Sequence, residues 1–274
     1  MLLQGKRALV VGLLNKHSIA ASITHALLKH GASCVVASRT PFSESQIKSC
    51  AFVLPSASQS LHFAECDVEN DVSIEGLVEE CGRVFDGELD ILVHSVAFAP
   101  KETFQPKGAL MTTREAWTQA MDVSAYSLIA LTRAAYPLLT KGSDEAKRDR
   151  SVIALSYAGA SKIVPNYNIM GPAKAALEAT TRQLAFELGV EGIRVNCLSP
   201  GPMNTVSARG IPGISKMRKY AEEHAPLHRN ASGEEVGELA AFLASNSASA
   251  ITGQTLYVDG GLSIMAPYAR DPSS

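Results

Sequence analysis

The chain has 274 residues and a mass of 29.0 kDa, with 46% hydrophobic and 19% charged residues. That is ample material for a core, and it excludes disorder as the main state. The 25 Lys+Arg against 27 Asp+Glu leave a formal charge of -2, which gives no basis for nucleic acid or an acidic membrane as the main partner. No apolar run approaches the ~18 residues of a transmembrane helix, and Lys6 and Arg7 place charge where the apolar stretch of a signal peptide would begin. Five cysteines (Cys34, Cys50, Cys66, Cys81 and Cys197) are odd in number and form no C-x-x-C pair. Reduced, buried thiols are therefore expected, in the cytoplasm or in an organelle after removal of a transit peptide.

In chain order, Arg7–Val11 is a short apolar run ending at Gly12, as a buried parallel strand should. Ser18 is placed to cap a helix in which Ile19, Ile23, Ala26 and Leu27 recur at helical spacing, with Gly31 stopping it. Cys34–Ala37 reads as the second strand, and the Ser-rich stretch Thr40–Ser60 as a variable excursion after it. Leu61–Ala64 reads as the third strand, leading into Cys66-Asp67-Val68, followed by a helix over Asp71–Phe85 and a fourth strand over Leu89–His94. One long helix is predicted over Thr113–Leu139, a fifth strand at Val152–Leu155 and a helix at Ala173–Leu188. A sixth strand at Ile193–Leu198, a helix near Glu234–Ser245 and a seventh strand at Thr255–Val258 complete the pattern. Strands alternating with helices imply α/β architecture: a single doubly wound parallel sheet of about seven strands flanked by helices, one domain over residues 1–274. His224 and His228 have the spacing of metal ligands on a helix, but Pro226 lies between them and no Glu follows His224. No metal site is expected there.

In such a sheet the first strand-to-helix turn is the place for a phosphate group. Here it runs Gly12-Leu13-Leu14-Asn15-Lys16-His17-Ser18-Ile19-Ala20 and lacks G-x-G-x-x-G. By itself this turn is equally a strand end followed by a capped helix. The later segments carry more. They are Cys66-Asp67-Val68, His94-Ser95-Val96-Ala97-Phe98-Ala99-Pro100, Leu155-Ser156-Tyr157, Pro165–Gly171 with Lys174, Ser199–Thr205 and Val258-Asp259-Gly260-Gly261. Together with Gly12 and Ser18-Ile19-Ala20, and in this order, they resemble the enoyl-acyl carrier protein reductase branch of the short-chain dehydrogenase/reductase family. The resemblance runs from about Gly5 to Met265 and implies a Rossmann-like fold, a nicotinamide cofactor and a homotetramer.

Tyr167 and Lys174 lie seven positions apart, two helical turns, and so near one face of a helix. The wider family reduces ketones with Tyr-x-x-x-Lys, but that spacing lands on Gly171 after Tyr167 and on Ser161 after Tyr157. The resemblance implies that Tyr167 bonds the thioester carbonyl, that Lys174 holds the nicotinamide ribose and lowers the phenol pKa, and that Tyr157 lines the same pocket. It also implies cofactor contacts at Gly12, Ser18, Ile19, Asp67, Val68, Ser95, Val96, Met203, Asn204, Thr205, Val206 and Ser207, and a substrate contact at Ala99. The chain departs from the family pattern at Ala97, where glycine is usual, at Met203-Asn204, where Ile-Arg is common, and at Pro172, which is tolerated only in a first helical turn.

The expected reaction is reduction of trans-2-enoyl thioesters, on acyl carrier protein or coenzyme A, in fatty-acid synthesis. The alternatives are a short-chain reductase for a β-ketoacyl thioester or an enone, and an idle dinucleotide sensor. Arg39 at the end of the second strand, with no Asp or Glu before Glu44, leads to the expectation that NADPH is favoured over NADH.

Overall fold

The computed structural model describes residues 1–53, 61–141 and 150–266. The short apolar runs form seven strands: β1 (Arg7–Val11), β2 (Ser33–Ser38), β3 (Leu61–Glu65), β4 (Ile91–His94), β5 (Arg150–Leu155), β6 (Ile193–Pro200) and β7 (Thr255–Val258). All neighbours pair in parallel, in one sheet of order β3-β2-β1-β4-β5-β6-β7. The chain winds outward from β1 to β3 and then returns to place β4 beside β1. Strand order thus reverses between β1 and β4, and a crevice opens there at the carboxyl ends of the strands.

Nine helices among the described residues connect the strands: α1 (Ile19–Lys29), α2 (Glu44–Val53), α3 (Asp71–Val84), α4 (Arg114–Met121), α5 (Ser127–Thr140), α6 (Met170–Leu188), α7 (Val206–Arg209), α8 (Ile214–His224) and α9 (Gly233–Leu243). Because side chains alternate along a strand, β1 feeds two cores. Leu9 and Val11 pack with Leu77 of α3, Leu131 of α5 and Leu177 of α6. Ala8 and Val10 pack on the other face with Ile23 and Leu27 of α1 and Val236 and Ala240 of α9. All five cysteines are buried and free, and burial raises their thiol pKa values. No described helix is long and apolar enough to cross a membrane.

Three segments differ from the sequence expectation. The Ser-rich excursion contains α2; Ser43 caps it, with Gln46 returning a bond to the Ser43 N–H at 2.9 Å, a capping box. Residues 54–60 of that excursion lie outside the described residues. The single long helix is instead α4 and α5 joined by a π-turn at Asp122–Tyr126. The stretch between β6 and α9 holds α7 and α8, whose ends are marked by Thr205 as a cap and by Gly213 in the left-handed region. Pro172 falls in the first turn of α6, where its missing N–H leaves no helical bond unmade. The His224 ring stacks on Tyr220 at 4.0 Å.

The amino ends of the central strands are held by one carboxylate. Asp90, just before β4, accepts bonds from Arg7 Nε (2.7 Å) and the Arg7 backbone N–H (2.9 Å) on β1, and from Arg150 on β5. Asp90 and Arg150 are each about 2% exposed. Removing the carboxylate that both guanidinium groups share breaks a buried ion pair, at a cost of about 3–5 kcal/mol. Asp90→Ala is therefore expected to lower the unfolding free energy measured in urea by that amount, with a lower midpoint. The crevice of the folded fraction should be unaltered, because Asp90 lies at the opposite end of the sheet from it.

Candidate active site

The crevice at the strand ends is a cavity of about 560 Å³ whose wall draws on the carboxyl ends of β1, β2, β5 and β6, on the residues that follow β3 and β4, and on the segment around α7. Gly12 opens its floor. Its φ of +107° suits glycine, and a Cβ would come within 2.2 Å of the Ser95 carbonyl oxygen, so only glycine lets the ends of β1 and β4 meet. Ser18 caps α1, accepting from the Ala21 N–H at 3.2 Å and donating to Asn15 O at 2.7 Å, and Ile19 begins the helix. Capping pins the helix start, with its positive dipole end, at the crevice.

Beyond β4, Ser95, Val96, Ala97, Phe98 and Ala99 form one wall. Ser124, buried in the π-turn, clamps this loop: its hydroxyl accepts from the Phe98 N–H and donates to Phe98 O, both at 3.0 Å. Tyr157 and Tyr167 meet edge to face, ring centroids 5.0 Å apart. Tyr167 is buried against Ala99, Ala120, Ile169 and Met170. Gly159 makes room for its ring, since a Cβ there would lie 2.5 Å from Tyr167 Cδ1. Lys174 on α6 is 4% exposed and its Nζ donates to Leu155 O at 2.6 Å. Ser156, between Leu155 and Tyr157, donates to Glu178 Oε1 at 2.5 Å.

Burial acts on these groups in opposite senses. It lowers the Lys174 ammonium to about 8 and, with Tyr157, raises the Tyr167 phenol well above its usual range. The expectation that Lys174 lowers the phenol pKa is therefore corrected: desolvation dominates and keeps Tyr167 a neutral donor. Buried His94 is likewise held neutral, at about 3, first by desolvation and then by the Lys174 charge.

Of the other expected residues, Asp67, Val68, Met203, Thr205, Val206 and Ser207 also line the cavity. Asn204 does not; its Oδ1 accepts from Arg209 Nε at 3.2 Å. Arg39 lines the crevice, but its guanidinium lies 3.2 Å from Asp67 Oδ2 and 3.1 Å from Glu69 Oε2. Sequence reasoning missed Glu69, Ser124 and Gly159. Glu69 could have been found from its place two residues after Asp67. The π-turn that presents Ser124 has no local sequence signal.

These features fit a dinucleotide. The floor at Gly12 has no side chain, the start of α1 faces it, and Lys174 uses one of its three N–H donors on Leu155 O, leaving two for a bound hydroxyl.

Comparison with known proteins agrees. The family model described as "Enoyl-(Acyl carrier protein) reductase" matches residues 12–263. A protein of Neisseria meningitidis named enoyl-[acyl-carrier-protein] reductase [NADH] FabI is 44% identical over 264 residues, covering 96% of this chain and 97% of that one. Its namesake in Aquifex aeolicus is 40% identical over 270 residues, covering 98% and 96%. The crystal structure of the Aquifex aeolicus enzyme superposes with a TM-score of 0.87 at 41% identity, over 97% of this chain and 99% of that chain. The expectation of NADPH preference is overturned by these relatives, which are named for NADH. The physical reason is that the Arg39 charge is already matched by two carboxylates. With a seven-stranded parallel sheet, the crevice at its switch point and full-length likeness to these reductases, the chain belongs to the enoyl-(acyl carrier protein) reductase family.

Proposed function

We propose that this chain reduces trans-2-enoyl thioesters on acyl carrier protein to saturated acyl thioesters with NADH, a step of fatty-acid synthesis. The observation that carries this reading is the convergence of Tyr157, Tyr167 and Lys174 on one wall of the crevice, without a lysine four residues after either tyrosine. When bound, NADH supplies a hydride to the β carbon. Negative charge then develops on the thioester oxygen, and a proton is taken up at the α carbon. The Tyr167 hydroxyl, kept protonated by burial, donates a hydrogen bond to that oxygen. Ala99 and the apolar wall beside it receive the acyl chain. Lys174 offers its free N–H groups to the nicotinamide ribose. Gly12, Ser18, Ile19, Val68, Ser95, Val96, Met203, Thr205, Val206 and Ser207 are the remaining cofactor contacts of this reading.

The same reading includes one domain, a homotetramer and a reducing compartment such as the cytoplasm. Exposed Trp117, Ile129 and Tyr136 on α4 and α5 support subunit contact, and the buried free thiols support the compartment.

Reaction type is read by following NADH absorbance. Enoyl thioester should drive rapid oxidation and acetoacetyl thioester almost none; faster turnover of the ketoacyl substrate overturns the reading. Tyr167→Phe should lower kcat by roughly tenfold to a thousandfold through loss of the donor to the developing enolate oxygen. A near-normal kcat would move that role to Tyr157 or to water.

Lys174 makes a pH prediction. Its pKa is about 8 in the folded chain and 10.5 ordinarily, so below pH 8 folding carries the full cost of burying an ammonium. Between pH 8 and 10.5 the unfolded state binds the extra proton, and that cost is relieved as pH rises. Relative to Lys174→Met, the native chain should gain stability across this window, by up to about 3 kcal/mol. NADH affinity should fall over the same interval in the native chain and stay flat in the variant. A stability difference independent of pH from 7 to 10.5 contradicts this.

A further inference from the structure

β2 and β3 are neighbours at one edge of the sheet, so the residues that follow them face the same corner of the crevice. Arg39 comes from β2, and Asp67 and Glu69 from the segment after β3; all three line the cavity. Both carboxylates are fixed from more than one side. Asp67 Oδ1 accepts from the Glu69 N–H at 3.1 Å, while Oδ2 faces Arg39 at 3.2 Å. Glu69 Oε2 faces Arg39 at 3.1 Å, while Oε1 accepts from Gln119 Nε2 of α4 at 2.9 Å. One cation and two carboxylates leave this corner with a net charge of -1. The other cations among the described lining residues are Lys101 and Lys174, and Lys174, anchored at Leu155 O, serves the nicotinamide ribose in the proposed reading. Surplus negative charge is felt nearby: burial and then Glu69 and Asp71 hold the Asp122 carboxyl above its usual range.

We infer that Glu69, braced by Gln119, is a specificity-determining residue, converting a corner whose arginine would pair with a 2′-phosphate into one that accepts the free 2′-hydroxyl of NADH. A strong Arg39 ion pair is not required, since at this exposure the pair contributes little. The excess of carboxylates over guanidinium suffices. A phosphate of about -1.5 to -2 that displaces the guanidinium from Glu69 still meets two fixed carboxylates, whereas a hydroxyl donates to one of them.

This inference rests on the NADH reading of the proposed function, and the two are tested separately. Dissociation constants for NADH and NADPH are measured by fluorescence titration without acyl substrate, for the native chain, Glu69→Gln, Glu69→Ala and Glu69→Gln/Arg39→Ala. The native chain tests the reading, and tighter binding of NADPH there overturns it. In Glu69→Gln and Glu69→Ala the ratio of NADPH to NADH dissociation constants should fall about tenfold, the size of one charge-assisted contact. Adding Arg39→Ala should restore the ratio. A ratio within twofold of native in both single variants, or a fall that persists without Arg39, overturns the inference while leaving the reading intact.

Discussion

The register of β1, β4 and β5 is the constraint on which the site depends. Asp90 ties Arg7 and Arg150 at the amino ends of these strands, and the ladder then runs level to the other end, pairing Val11 with His94 and His94 with Ala154. The next residues along are Gly12, Ser95 and Leu155. Each contributes backbone to the crevice: Gly12 its bare floor, Ser95 an N–H to Val11 O at 2.9 Å, and Leu155 the carbonyl that holds Lys174. A slip of one residue in any of the three strands would put side chains where backbone is needed. The buried ion cluster and the crevice thus sit at opposite ends of the same strands.

Burial then divides the labour between the ionisable groups. A phenol and an ammonium removed from water both shift toward the neutral form, which keeps the proton on Tyr167 and loosens it on Lys174. The phenol is a steady donor through the physiological range. The lysine is poised near its titration point and responds to what occupies the crevice. A bound group that accepts from the ammonium offsets its desolvation, so occupancy and protonation of Lys174 are linked.

Much of the fold was legible because strands buried on both faces read as unbroken apolar runs, as β1 does; the edge strand β7, only half-buried, also falls on the residues expected. The grouping of Tyr157, Tyr167 and Lys174 on one wall was legible for a different reason: they belong to one continuous segment, so their spacing carries their arrangement. What failed was non-local or needed a count the eye passes over. Arg39 read as an unopposed cation because its partners arrive from another strand. The phenol shift was misjudged because spacing says nothing about water exclusion. α2 was hidden by its serines, although Ser43 and Gln46 form its cap. The π-turn adds a residue per turn without any residue type that demands it.

Four of the five thiols have a consequence for how the molecule meets oxidants and alkylating reagents. Cys34 lies inside β2 and Cys197 inside β6; Cys81 belongs to α3, and Cys66 follows β3. Burial holds Cys66 and Cys197 at about 11 and Cys81 at about 12, and lifts Cys34 further. Thiolate, the reactive form, is almost absent from the native state near neutrality. Modification therefore proceeds through opening of the sheet and of the helices packed on it. The rate at which these sulfurs are labelled reports how often separate parts of the molecule breathe, and the native protein carries its own internal clock for local unfolding.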